Sequence, residues 1–190
     1  NEKRHTEKVS SFHNSLTLGI SQGMNIEQII ETIYSTLNVP VLIQDLSFNT
    51  HQYVGLTEEE FDLLAEDFAR QMPQTRSGKI LIQPIDPMHA IQVDCPNHTR
   101  LISPITVHQQ IIGYISFIYL SKDHNFKEEM NYVQRSAVCI SLWHLNEKSS
   151  LEAIENIKAF LFEQLLQQQY TSKKNIINRC YLLQIDLNDD

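Results

Sequence analysis

The sequence predicts an α+β domain, a central antiparallel sheet flanked by helices with a long C-terminal helix. Three observations predict it. Two apolar stripes at helical spacing open the chain. Two strand-like runs, Arg100–Val107 and Ile111–Leu120, stand three polar residues apart. A 3-4 apolar repeat then runs from Met130 to Leu165. A helix repeats its buried face about every 3.6 residues and a strand every two, so a change of period marks a change of element. With 190 residues, 42% of them hydrophobic, the chain is long enough to bury a core without disulfide staples.

In chain order, Val9, Phe12, Leu16 and Ile20 form the first helical stripe, which Gly23 ends. Asn25 is the expected N-cap of a second helix whose stripe is Ile26, Ile29, Ile30, Ile33 and Leu37. Val39 to Gln44 reads V-P-V-L-I-Q, a buried strand that runs into a turn at Asp45. Ser47 to Gly55 is polar and reads as a loop. Thr57 with Glu60 three residues on is a capping-box pattern, and Phe61, Leu64, Ala65 and Phe68 supply the buried face of the helix it opens. Lys79–Gln83 and Ala90–Val93 are short strand candidates. The two runs around His108, Gln109 and Gln110 make an antiparallel hairpin. Its second strand is apolar on both faces (Ile115 and Phe117 against Ile112 and Ile118), so both sides of the sheet need cover. From Lys127 the chain is helical, with polar interruptions of the seam at His144, Glu147 and Lys158. The run Ser149-Ser150-Leu151-Glu152 is a second capping-box pattern, a place where that helix would break.

Composition excludes several functions. Fifteen basic against 23 acidic residues give a net charge of −8, which repels phosphate backbones and anionic lipid, so no nucleic-acid or membrane partner is expected. The longest apolar run, Ile111–Leu120, falls well short of the roughly 20 residues of a membrane-spanning helix. Three cysteines, Cys95, Cys139 and Cys180, are too few and too far apart for a disulfide framework, which points to a reducing, cytoplasmic setting. His89, Cys95 and His98 are the only local Cys/His cluster. Their spacing matches no four-ligand zinc pattern, so no metal and no cofactor is expected. No nucleophile, phosphate-loop or paired-carboxylate motif is present, so no catalytic residue is assigned and the chain is not read as an enzyme. Cys139 lies on a helical face and reads as core. Cys95 reads as the one cysteine with access to solvent and a neighbouring histidine.

What remains is a sheet with an apolar inner face and polar groups at its rim, an arrangement that makes small-molecule pockets. Arg100, Tyr53, His89, Tyr114 and Tyr119 are the candidate rim groups, with Phe117 from the apolar face. Arg100, at the start of a strand beside His98 and Thr99, is the one suited to an anionic ligand.

Two stretches carry a family resemblance. The order of elements, the hairpin Arg100-Leu-Ile-Ser-Pro-Ile-Thr-Val to Ile111-Ile-Gly-Tyr-Ile-Ser-Phe-Ile, and the helix from Asn125 to Trp143 resemble a GAF-like sensor domain and its exit helix. Ile157-Lys-Ala-Phe-Leu-Phe-Glu-Gln-Leu-Leu followed by Ile177-Asn-Arg-Cys-Tyr-Leu-Leu-Gln-Ile-Asp-Leu resembles the junction in PucR/CdaR-type bacterial transcriptional regulators, with Gln184 where that pattern has glycine. The resemblance implies three parts: a GAF-like sensor and dimerisation domain over 1–148, a linker helix over 149–176, and over 177–190 the start of a GGDEF-like domain. It implies a regulatory input module in which a bound metabolite biases the exit helices and thereby a distant helix-turn-helix domain. The 3-4 seam of the long helix predicts a parallel homodimer, with Met130, Val133, Ala137, Ile140, Leu151, Ile154 and Leu161 at its interface. Two alternatives remain, a dimerisation scaffold with a filled pocket, and a GAF-fold redox enzyme of the free methionine sulfoxide reductase kind with Cys95 as nucleophile.

Overall fold

The computed structural model describes residues 2–71, 89–120 and 126–166, with side chains described over 7–71, 89–120 and 126–159. The strand expected at Lys79–Gln83 and the segment 177–190 lie outside the described residues. The chain divides into two units, Asn1–Trp143 and His144–Asp190.

Helix α1 (Glu2–Ser21) is followed by α2 (Ile26–Leu37). Asn25 caps α2 as its residue type dictates. Its side chain accepts from the Gln28 backbone N–H at 2.9 Å, and the Gln28 side chain accepts from the Asn25 N–H at 3.0 Å. Such a reciprocal cap satisfies two donors that the first turn leaves unpaired, and removing one typically costs about 1 kcal/mol. Asn38 ends α2 in the left-handed conformation (φ 52°). The capping box expected at α3 (Glu58–Gln71) is also formed: Glu60 N–H donates to Thr57 Oγ1 at 3.2 Å and Thr57 N–H to the Glu60 carboxylate at 2.8 Å.

The five strands are β1 (Val41–Gln44), β2 (Thr50–Val54), β3 (Ile91–Asp94), β4 (Thr99–Val107) and β5 (Gln110–Tyr119). They form one antiparallel sheet in the order β2-β1-β5-β4-β3. β2 corrects the sequence reading of Ser47–Gly55 as loop. Its residues alternate half-buried and exposed on an edge strand, so polar side chains fill one face and hide the strand pattern. The hairpin β4–β5 closes through a two-residue turn, His108 and Gln109, both at positive φ (48° and 64°). In β5, Gly113 meets its neighbour so closely that an added Cβ would lie 2.6 Å from the Gln44 carbonyl oxygen.

Side chains alternate across the sheet, and the two faces have different cover. On one face Val41, Leu101, Ile115 and Phe117 join a single apolar cluster with Phe12 and Leu16 of α1, Ile29 and Ile33 of α2, and Val133, Ala137 and Ile140 of α4 (Lys127–Leu166). α4 lies along α1, where Phe12 meets Tyr132 edge to face at 5.3 Å, and Phe126 packs on Tyr119 at 4.8 Å. On the other face α3 sets Leu64 against Leu42 and Ile118, and Phe68 in a cluster with Phe48, Ile102 and Tyr114.

α4 is helical without a break through Ser149 and Ser150. Val133, Ala137 and Ile140 are buried in the chain's own core and Met130 is half-buried against it. Of the remaining seam residues, Leu151 is 60% and Ile154 41% exposed, and the side chain of Leu161 lies outside those described. No helix of the described residues is long and apolar enough to cross a membrane.

Candidate functional site

Between α3 and its face of the sheet lies a cavity of about 390 Å³. Leu42 and Gln44 of β1 and Arg100 of β4 form its floor, and Phe61, Ala65 and Phe68 of α3 its roof. Phe48 of the β1–β2 turn closes one side with the polar residues Ser47, Asn49 and Thr50.

The turn is shaped by Asp45. Its carboxylate accepts from the backbone N–H of Ser47 (2.7 Å) and Asn49 (2.9 Å) and from Asn49 Nδ2 (2.8 Å). Burial opposes its ionisation, but these bonds and the nearby His51 outweigh that and hold the carboxyl below its ordinary value. Phe48 is thereby held at φ 62°, a left-handed conformation that a bulky side chain rarely adopts. Its carbonyl is engaged by Gln44 Nε2 at 3.0 Å, while Gln44 Oε1 accepts from Ser116 Oγ at 2.7 Å. Both ends of this buried amide are satisfied, so the floor is fixed and Phe48 is tied to it.

Arg100 is the chemical centre. It is 1% exposed. Its Nε donates to His98 Nε2 at 2.9 Å, one Nη donates to the Leu64 carbonyl at 2.7 Å, and the guanidinium carbon sits 4.1 Å over the Phe68 ring. Because Nε2 of His98 accepts, its proton is on Nδ1, which faces the Asp67 carboxylate at 3.8 Å. Asp67 in turn accepts from the backbone and side chain of Asn97 at 3.2 and 2.7 Å. Burial pulls the guanidinium down to about 10, against the opposing influence of Cys95 and Asp67, so Arg100 is a cation at neutral pH.

Of the residues singled out from the sequence, Arg100 lines the cavity. Tyr114 stands behind it, stacked on Phe48 at 4.3 Å, with burial raising its phenol. Tyr53 lies on the exposed edge and stacks on Phe61 at 4.5 Å. His89 is exposed just ahead of β3. Phe117 and Tyr119 belong to the opposite, helix-covered face, and Phe117 is fully buried there. The pattern of strand alternation separates these two from Arg100, since Leu101 pairs with Phe117 while Arg100 pairs with Ile118. Gln44 and Asp67 are not among the residues the sequence singles out, while His98 is, as a member of the His89, Cys95, His98 cluster and the neighbour of Arg100. Gln44 has a sequence signal, a polar residue two places from Leu42 on the same strand face. Asp67 has none, because only the fold brings α3 to the β3–β4 turn and so to His98.

Cys95 corrects an expectation. It is 2% exposed, not open to solvent, because the turn that joins β3 to β4 folds it under Phe48 and Phe68. Its backbone N–H donates to the His98 carbonyl at 2.8 Å. Among the described residues no group of three or more His, Cys, Asp or Glu is placed to hold a metal ion. A larger cavity of about 480 Å³ lies beside α1 and α2. Its threonines, Thr32 and Thr36, give their hydroxyl hydrogens to carbonyls of their own helix, and among the described residues that line it none is a buried charge. The cavity with the buried cation is the candidate site.

No family model matches the chain, and no curated protein matches it. Among solved structures it is similar to the GAF domain of the phosphoenolpyruvate-protein phosphotransferase of Acinetobacter, at 10% identity over 73% of this chain and 93% of that one, with a TM-score of 0.44. It is also similar to a GAF domain/HD domain protein from Geobacter sulfurreducens, at 15% identity over 66% of this chain and 98% of that one, with a TM-score of 0.38.

Proposed function

We propose that this chain is the small-molecule-sensing and dimerisation input module of a bacterial transcription regulator, built on a GAF-like domain. The observation that carries the sensing role is the Arg100 guanidinium, buried at a cavity whose walls are fixed by their own hydrogen bonds. The regulator context is supported by the PucR/CdaR-like sequence of Ile157–Leu166 and Ile177–Leu187. Leu151, Ile154 and Ile157 support the dimer, as large apolar side chains 60%, 41% and 48% exposed along one helix. In this reading a ligand acts by binding one arrangement of the exit helices more tightly than another, and a ligand without that preference changes nothing.

The test is a thermal-shift screen of the purified chain against amino acids, organic acids, purines and nucleotides. The expected result is a dose-dependent rise with one class, since a ligand at a hundredfold excess over Kd stabilises by about 2.7 kcal/mol. Sedimentation is expected to give a dimer at micromolar concentration. A stable dimer with no ligand response would move the assignment to a dimerisation scaffold.

A further inference from the structure

We propose that the cavity under α3 takes a small aromatic carboxylate, with its carboxylate on Arg100 and its flat body among Phe48, Phe61 and Phe68. This rests on the sensing role proposed above and names the chemistry that the same site selects.

The charge argument comes first. Among the described residues Arg100 is the only charged one that lines the cavity. Its hydrogen bonds to described residues use two of the five N–H donors of a guanidinium, and both go to neutral acceptors, His98 Nε2 and the Leu64 carbonyl. Asp67 directs its carboxylate to Asn97 and His98. A buried cation without a carboxylate bound to it is costly, and an anionic ligand offsets that cost. One cation matches one negative charge. A phosphate ester carries about two, and it would enter a protein of net charge −8 with no glycine-rich loop to receive it. A carboxylate carries a single charge and accepts from the guanidinium N–H donors that His98 and the Leu64 carbonyl leave.

The body of the ligand follows from the walls. Phe48 and Phe68 lie 5.5 Å apart at 44°, and Phe61 with Leu42 adds further apolar surface. The polar groups are largely committed elsewhere: Gln44 to Phe48 and Ser116, and Asn49 Nδ2 to Asp45. A sugar or a nucleoside would bury hydroxyls and ring nitrogens with few partners, at a penalty for each. A flat apolar ring meets phenyl rings instead. About 390 Å³ is within the usual range for small-molecule pockets.

The experiment measures binding to the purified chain by calorimetry and thermal shift with five probes: benzoate, indole-3-acetate, benzamide, acetate and AMP. Benzoate or indole-3-acetate is expected to bind, with benzamide weaker than benzoate by about tenfold to a hundredfold, the worth of a charge-assisted hydrogen-bonded pair. Ala65→Phe, which fills the cavity from a helical position, is expected to abolish binding while the protein stays folded. Arg100→Met is expected to remove the preference for benzoate over benzamide. Binding of AMP or benzamide as tight as the carboxylates, blocked by Ala65→Phe, would overturn the ligand class and leave the sensing role standing. Carboxylate binding that Ala65→Phe does not alter would overturn the site. No binding by any probe, together with a higher melting temperature for Ala65→Phe, would overturn both the ligand class and the sensing role.

Discussion

Both faces of the sheet are covered by helices, and the α3 face buries the larger polar side chains. On the face shared with α1, α2 and α4, Leu16, Ile29, Ile33, Leu101, Ile115 and Phe117 make a largely hydrocarbon core, with Ser103 a buried polar side chain of β4 on that side. On the α3 face, the positions next to these in the strands carry Gln44, Arg100 and Ser116, all buried, and α3 brings Asp67 to His98 beside them. Burying polar groups is unfavourable unless each is bonded, so a fold that needed only stability would fill both faces alike. The first face holds the domain together. The second carries these buried polar groups, and they are held by hydrogen bonds: Ser116 to Gln44 to the Phe48 carbonyl, and Arg100 to His98 and to the Leu64 carbonyl, with the Asp67 carboxylate 3.8 Å from His98.

The largest effect is expected on the hydrocarbon face. Phe117→Ala leaves a void in a core that cannot fully collapse, and a loss of about 3–5 kcal/mol is expected by urea denaturation. The preference between benzoate and benzamide should survive in whatever fraction remains folded. On the α3 face, Arg100→Met keeps much of the volume but leaves His98 Nε2 and the Leu64 carbonyl without their donor, so about 1–3 kcal/mol is expected. Removing a buried charge recovers some desolvation energy, which is why the loss stays below that at Phe117. If Arg100→Met were the more destabilising of the two, the division into a structural and a chemical face would be wrong.

Asp45 tests the rim of the chemical face, and its sign is fixed by direction. Its carboxyl is held below its ordinary value of 3.8 by bonds from Asn49 and Ser47 that outweigh its burial. A group whose value falls on folding contributes stability that is full above the unfolded value and lost as pH falls through the folded one. Asp45→Ala is therefore expected to cost about 1 kcal/mol at pH 7, on the scale of a net hydrogen bond or two. The gap from the parent protein should narrow below pH about 4, where the unfolded-state carboxyl takes up its proton. Denaturation at pH 7 and pH 3 measures it. A gap that is the same at both pH values would mean the carboxylate charge does not shape the turn.

The same contrast explains what the sequence reveals. Hydrocarbon at a regular period is visible, so α1, α2, the β4–β5 hairpin and α4 are all legible from stripes such as Val9, Phe12, Leu16 and Ile20. Caps are local chemistry, so Asn25 and Thr57 are legible too. An apolar stripe does not say what covers it. Val133, Ala137 and Ile140 read as a seam for a second helix and lie in the chain's own core, while Leu151 and Ile154 continue that seam in the open. The chemical face is less legible because its partners are far apart in sequence: Arg100 bonds to Leu64 and Ser116 to Gln44. Arg100 stood out by type and position, whereas Asp67 looked like one acid among several on α3.

The smallest effect is expected where the two faces share an end, at the β4–β5 turn. His108 and Gln109 are exposed and both sit at positive φ, the turn that favours Asn-Gly. An L-residue in this conformation costs about 1–2 kcal/mol, and Asn tolerates it better than most. Glycine removes the steric penalty at the second position but gives up about 0.5–1 kcal/mol of chain entropy in the unfolded state. The two terms largely offset, so His108→Asn with Gln109→Gly is expected to add about 0.5 kcal/mol, or about 1–2 °C in melting temperature for a chain of this size. Because this turn fixes the register of both faces at once, the probe affinities of the cavity should not change. A variant that gains stability and loses the response to carboxylates would show that strain in the turn reaches the Arg100 end of β4, and that the two faces are not independent.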